Sequence, residues 1–146
     1  AVSLDGKTMA IRNRVYRFIN NEWIQIGGDL SIGPDSKNSL SINGDGSNVV
    51  IATSTYVEVY EYIGGSWMKK GLRINQEASS DYSNVVEISL DGNVLAVGAY
   101  QNDGGGNNAG HVRVFSYNGI DWVQIGDDLD GTPLDSFGIS VALNYD

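Results

Sequence analysis

The chain has 146 residues, 41% of them hydrophobic, which is enough for one domain with its own core. Its formal net charge is −9, so it lacks the basic stripe that nucleic-acid binding needs and has no attraction to an anionic membrane surface. Without cysteine it forms neither disulfides nor thiolate metal sites, and no apolar run reaches the ~18 residues of a membrane-spanning helix.

The first predicted element of each repeat is a β-hairpin centred on an Asp-Gly pair. A short apolar run follows each pair, and alternating apolar and polar residues precede it. Asp-Gly between such runs is typical of a type I′ turn, in which both central residues have positive φ. The pairs are Asp5-Gly6, Asp45-Gly46 and Asp91-Gly92. A further strand of the kind that precedes each pair is predicted near the end of the chain, at Phe137–Tyr145.

The next element is an aromatic strand that leads to a tryptophan at a fixed distance. A valine opens each strand, and the tryptophan follows eight residues later, which predicts two more strands per repeat. The tryptophans are Trp23, Trp67 and Trp122, which are all that the chain has. Each begins the pattern Trp-x-(Gln/Lys)-x-Gly-x-x-(Leu/Ile).

The spacing of these elements indicates a repeat array with one variable loop. From each Trp to the position of the next Asp-Gly aspartate (Asp45, Asp91 and Asp146) the distance is 22, 24 and 24 residues, whereas from the aspartate of each Asp-Gly pair to the Trp of the same repeat it is 18, 22 and 31. The extra residues of the third repeat fall at Tyr100–Gly110, and insertions at one loop are what a fixed core tolerates. The repeats span approximately 5–44, 45–90 and 91–146, within a single segment 1–146.

Each repeat therefore holds four short strands, and no stretch has the 3.6-residue period of a helix. Four-stranded antiparallel units of this length are typical of β-propeller blades. We predict an all-β, β-propeller-type segment with three four-stranded antiparallel blades. A β-sandwich or a β-prism built from the same hairpins is the alternative.

Two motifs resemble the FG-GAP repeats of integrin-α heads and of secreted microbial surface proteins. Phe137–Leu143 is similar to the Phe-Gly half, and Leu95–Ala99 is similar to the Gly-Ala-Pro half, with Tyr100 in place of proline. The resemblance implies a propeller at an extracellular or cell-surface location. It also implies an Asp-rich calcium loop, but here only Asn43–Asn48 approaches that loop, with too few carboxylates.

Three blades are fewer than the 4–8 that close a propeller. We therefore expect either neighbouring blades of a longer chain or self-association of this one. Residues 1–73 carry eight basic and seven acidic side chains, against one basic (Arg113) and eleven acidic in residues 74–146. A solvated acidic surface is the simpler explanation of this asymmetry, and the alternative is that complementary ends favour head-to-tail contact between chains.

The tryptophans have two possible uses. An indole face suits the C–H face of a sugar, so Trp23, Trp67 and Trp122 are candidate ligand-binding residues, one per blade. A tryptophan that recurs among apolar neighbours is more often part of the core, where it packs between blades. The variable loop supplies the other ligand-binding candidates, which are Tyr100, Asn102, Asp103, Asn107 and Asn108.

The acidic run Asp127, Asp128 and Asp130 is a weak candidate for a metal site, with Ca²⁺ as the possible ion because it prefers oxygen ligands. The run does not recur in the other repeats, which favours a solvated turn instead. His111 is the only histidine and has no second histidine or cysteine near it in sequence. It is therefore predicted to be structural.

No nucleophile–base set or matched carboxylate pair can be assembled from the sequence. We therefore predict a non-enzymatic extracellular structural or adhesion module that contacts other proteins. The alternative is a lectin-like module with one carbohydrate site per blade. A protein or glycan ligand is expected, with no nucleic acid and no membrane insertion.

Overall fold

The computed structural model describes residues 1–33, 39–77 and 84–144, and within these ranges it contains thirteen β-strands and no helix. The first sheet contains β1 (Thr8–Ile11), β2 (Arg14–Ile19) and β3 (Glu22–Gln25). The second contains β4 (Ser39–Ile42), β5 (Asn48–Ala52), β6 (Tyr56–Ile63), β7 (Ser66–Lys69) and β8 (Ile74–Asn75). The third contains β9 (Asn84–Ile88), β10 (Val94–Ala99), β11 (His111–Tyr117), β12 (Trp122–Gln124) and β13 (Leu129–Asp130).

All ladders between named strands are antiparallel, and neighbours in sequence are neighbours in each sheet. The outer position of the second and third sheets is divided between two short strands. Strands β7 and β8 both pair with β6, and β12 and β13 both pair with β11. This architecture confirms the predicted all-β, propeller-type segment. No described helix is long and apolar enough to cross a membrane.

One sheet does not correspond to one sequence repeat, because the last strand of a repeat belongs to the next sheet. The strand before each Asp-Gly pair forms the inner edge of the sheet that follows it, so β4 belongs to the second sheet. In the first sheet this inner position holds only an isolated bridge between Val2 and Met9. The strand predicted at 137–145 is not formed in its described part, where Phe137 makes a single bridge to Gly110 and the residues after it join no ladder among the described residues.

The core consists of two layers, one on each side of the second sheet. Strand β5 shows why, because its alternating side chains are buried on both faces. Val49 and Ile51 pack toward the first sheet, while Val50 and Ala52 pack toward the third. Burial of each large aliphatic side chain contributes about 1.5–3 kcal/mol, so these layers hold the three sheets together.

The Asp-Gly pairs do form the tips of hairpins, but the turn differs from the type I′ prediction. Only the glycines have positive φ, at 70°, 73° and 76° for Gly6, Gly46 and Gly92. The aspartate instead accepts a hydrogen bond from the backbone N–H two residues later, as Asp91 does from Asn93 at 3.0 Å. Side-chain capping of this kind stabilises the turn without a second positive φ.

Candidate functional site

Two of the three tryptophans, Trp67 and Trp122, lie where one sheet packs on the next, and such a contact between sheets is called a joint below. The indole Nε1 of Trp67 donates to the carbonyl oxygen of Ile26 at 2.9 Å, and that of Trp122 donates to Lys70 at 2.7 Å. Trp122 is only 7% exposed. Both indoles are therefore used in packing, Trp122 as a buried side chain and Trp67 as a partly buried one. Trp23 occupies the same position on the first sheet and is 44% exposed.

The long loop at 100–110 is closed by its own hydrogen bonds. The Asn102 side chain is buried and accepts from the N–H of Gly104, and Asp103 accepts from the N–H of Asn108, both at 2.7 Å. Asn107 and Asn108 also accept, through their carbonyls, from the connection that follows β13. Tyr100 is half-buried at the start of the loop. The loop side chains thus support the backbone rather than converge on one point.

The acidic run divides in the structure. Asp127 and Asp130 are exposed, whereas the half-buried Asp128 turns toward His111. The Oδ2 atom of Asp128 lies 3.8 Å from His111 Nδ1. The predicted Asp127–Asp128–Asp130 grouping is therefore not one site, because its members face different neighbours.

A three-residue cluster of possible metal ligands forms at the joint between the second and third sheets. It contains Glu77, His111 and Asp128, and one ligand atom from each lies within 4.8 Å of the other two. The Oε2 atom of Glu77 is 3.8 Å from His111 Nδ1, the same distance as Asp128 Oδ2. Glu77 follows β8, His111 opens β11, and Asp128 precedes β13, so the cluster combines residues from two sheets.

The cluster is buried on the side of His111 and partly open to solvent on the side of the two carboxylates. The His111 side chain is 2% exposed, whereas those of Glu77 and Asp128 are 43% and 29% exposed. The Nε2 atom of His111 is buried and has no hydrogen-bond partner among the described residues. Separations of 3.8 Å are too long for hydrogen bonds from Nδ1 to either carboxylate. The imidazole nitrogen and the two carboxylate oxygens therefore approach one another without a hydrogen bond between the imidazole and either carboxylate.

Neighbouring side chains hold both carboxylates in place. Arg113 donates from Nη1 to Glu77 Oε1 at 3.2 Å, and the other oxygen, Oε2, lies 3.8 Å from His111 Nδ1. Gln124 donates from Nε2 to Asp128 Oδ1 at 2.6 Å, and Oδ2 likewise lies 3.8 Å from that nitrogen. Such supporting bonds fix the orientation of ligating side chains in metal sites.

One imidazole and two carboxylates form a donor set for a divalent ion. Separations near 4 Å place a central ion roughly 2.3 Å from each donor, close to the roughly 2.0–2.2 Å of protein Zn²⁺ ligands. The nitrogen donor fits Zn²⁺ or Mn²⁺ better than Ca²⁺, which prefers oxygen ligands throughout. The prediction of a Ca²⁺ site stays untested.

Sequence reasoning missed Glu77 and dismissed His111. The two residues lie 34 positions apart in different sheets, and neither belongs to the repeated pattern. The signal that could have found them is the repeat itself. Position 111 corresponds to Tyr56, whose hydroxyl accepts from Gly33 N–H at 3.0 Å across the preceding joint. Gly33 corresponds to Glu77, so aligned repeats place Glu77 opposite His111.

The fold and the cluster define the chain as a propeller-type segment with a candidate metal centre. No protein-family model and no curated protein matches the chain. A solved structure from Bacteroides uniformis, described as a "putative 6-phosphogluconolactonase", is similar in fold, with a TM-score of 0.60 and 19% identity. The match covers 88% of this chain and 39% of that one, so the chain spans about two-fifths of its length.

This likeness corrects the predicted function. The similar structure is described as an enzyme, which overturns the prediction of a non-enzymatic structural or adhesion module and of a chain that is not an enzyme. The lectin-like alternative is corrected with it, because Trp67 and Trp122 are used in packing. At 19% identity the likeness shows the fold alone. The FG-GAP resemblance and the extracellular location stay predictions.

Proposed function

We propose that the chain is part of a hydrolase for a small sugar-derived lactone, with Glu77, His111 and Asp128 holding a catalytic divalent ion. The observation that carries the proposal is the convergence of Nδ1 and two carboxylate oxygens within 4.8 Å. The lactone class comes from the name of the similar structure, 6-phosphogluconolactonase, and is a proposal for this chain.

The three residues differ in burial, and we assign their roles accordingly. His111 is almost fully enclosed, so it supports the ion from the inside and does not touch substrate. The carboxylates of Glu77 and Asp128 lie on the side that is partly open to solvent, where a ligand can approach. Catalytic metal sites commonly have three protein ligands and an open position, which matches this arrangement.

Lactone hydrolysis needs a polarised carbonyl and an activated water. An ion held by Glu77, His111 and Asp128 would supply both effects, by drawing electron density from the carbonyl oxygen and by lowering the pKa of water. The water oxygen bonds to the carbonyl carbon, the ring C–O bond breaks, and the proton released by the water ends on the ring oxygen. The products are a free carboxylic acid and a hydroxyl group.

The test is hydrolysis of δ-gluconolactone and 6-phosphogluconolactone. The rate of acid release is measured, and the rate in buffer alone is subtracted from it. We expect activity that chelator abolishes and Zn²⁺ or Mn²⁺ restores. His111→Asn and Asp128→Asn are expected to reduce it at least tenfold. The matched control is Asp127→Asn, which removes an adjacent exposed carboxylate and is expected to retain the wild-type rate. A wild-type rate equal to the buffer rate with every ion would overturn the proposal.

A further inference from the structure

The two joints between sheets repeat the same contacts at their outer edges. At each joint the tryptophan of the later sheet donates to the carbonyl three residues after the tryptophan of the earlier one. The next residue is a glycine with positive φ, Gly27 or Gly71. A Cβ atom at these glycines would lie 2.7 and 2.9 Å from the Cδ1 atom of the facing tryptophan, so each glycine forms a seat for an indole.

The inner edges repeat a second contact. The turn glycine of each later sheet packs on the preceding sheet, Gly46 against Thr8 and Gly92 against Asn48. A Cβ atom at either glycine would come within 2.9 Å of that neighbour. The joints are therefore specific at both edges, and the same positions form them each time.

The first and third sheets lie at the two ends of the array. Each of them exposes, on its outer face, the residues that correspond to one side of an internal joint. On the first sheet Trp23 is 44% exposed, and nothing among the described residues lies within 4 Å of a Cβ built on Gly6. On the third sheet Gly126 corresponds to Gly27 and Gly71 and has a similar φ of 74°, yet its Cβ position is also open. Ile125, whose carbonyl corresponds to the acceptors of the internal joints, is 48% exposed.

The two faces also differ in charge. Arg12 and Arg14 are exposed on the first sheet, where Arg14 is paired with Asp29 at 3.2 Å, whereas Asp127 is exposed on the third. Opposite charges on surfaces that meet steer association and exclude wrong partners. Position 12 corresponds to Tyr56 and His111, which face the preceding sheet at the internal joints. The basic side chains thus lie where the preceding sheet would pack.

We propose that a second copy of this chain occupies both faces, with Trp23 of each copy seated on Gly126 and bonded to the Ile125 carbonyl of the other. Two copies joined in this way form a ring of six sheets, within the 4–8 that close a propeller. The inference is independent of the proposed lactone hydrolysis, since it rests on the joints alone.

Native mass spectrometry and light scattering across 1–200 µM test the proposal. We expect a species of about 31 kDa, twice the 15.7 kDa of one chain, that dissociates more readily at high salt. Trp23→Ala is expected to weaken the dimer at least tenfold, because it removes the seated ring. The matched control is Ile63→Ala, which changes a 56% exposed side chain on the second sheet and should leave the dimer intact.

Three results would overturn the proposal. The wild-type chain could remain a monomer at 200 µM, or it could form open polymers instead of a dimer. A dimer could also form with the same affinity in Trp23→Ala, which would place the interface elsewhere. Circular dichroism of the variant separates a lost interface from a lost fold, since Trp23 makes no joint within the monomer.

Discussion

The indole N–H of Trp122 donates to the carbonyl of Lys70 across the joint between the second and third sheets, at 2.7 Å. Trp122→Phe keeps an aromatic ring but leaves that carbonyl without its partner, which costs about 1–3 kcal/mol of unfolding free energy. Urea denaturation measures the loss. Trp23→Phe, measured on the dissociated chain, is the control and should change stability by less than about 0.5 kcal/mol. Equal effects of the two changes would contradict the assigned joint.

Gly71 and Gly126 have nearly the same φ. Their alanine variants therefore separate the cost of a Cβ that meets an indole from the cost of backbone strain alone. Gly71 has φ of 76° and faces Trp122, whereas Gly126 has φ of 74° and an open Cβ position. Gly126→Ala should cost only the ~1–2 kcal/mol of a left-handed residue with a side chain. Gly71→Ala should cost about 1–3 kcal/mol more, because its Cβ meets the indole. Thermal or urea unfolding of the monomers gives the difference, and similar losses would contradict the seat geometry.

Acid should weaken the third hairpin through Asp91. The pKa of this carboxyl is lowered, first by the Ser89 hydroxyl that donates to it and then by the Asn93 backbone N–H. The folded pKa lies below the unfolded one, so the contribution is complete above the unfolded value and is lost as pH falls through the folded value. The stability gap between wild type and Asp91→Asn should therefore narrow from pH 6 to pH 2 in urea titrations. A gap that stays constant would count against this explanation.

Gln124 is expected to act on the ion through Asp128. It donates to Oδ1 at 2.6 Å and leaves the other oxygen directed at His111. Gln124→Ala should weaken Zn²⁺ or Mn²⁺ binding about tenfold, as loss of a supporting bond does in other metal sites. Calorimetric titration measures the affinity. Gln25→Ala removes the equivalent glutamine of the first sheet and serves as the control, and an equal effect there would contradict the assignment.

The repeated residues predicted most of the fold. Asp-Gly pairs mark hairpins, and the aromatic runs before each tryptophan become central strands, because these choices are local. The pairing of β4 with β5 was predictable as well, because the hairpin centred on Asp45-Gly46 requires it. The approximate repeat bounds divide this hairpin, since 5–44 contains β4 and 45–90 contains β5.

The candidate site was much less predictable than the fold. His111 and Glu77 depart from the repeat, and only the packing of two sheets brings them together. The tryptophans attracted a binding interpretation because they recur and are amphipathic. Their recurrence has a structural cause instead, since each joint uses one indole as both an apolar filler and a hydrogen-bond donor.

The claim that Glu77, His111 and Asp128 hold a divalent ion is tested most directly on the single histidine. With ¹⁵N-labelled imidazole, His111 gives one set of side-chain resonances, and Zn²⁺ can be titrated against it. We expect the Nδ1 resonance to shift until one equivalent is bound, and we expect Asp128→Asn to prevent the shift whereas Asp127→Asn does not. Resonances that stay unchanged at several equivalents of Zn²⁺, or that shift equally in both variants, would contradict it.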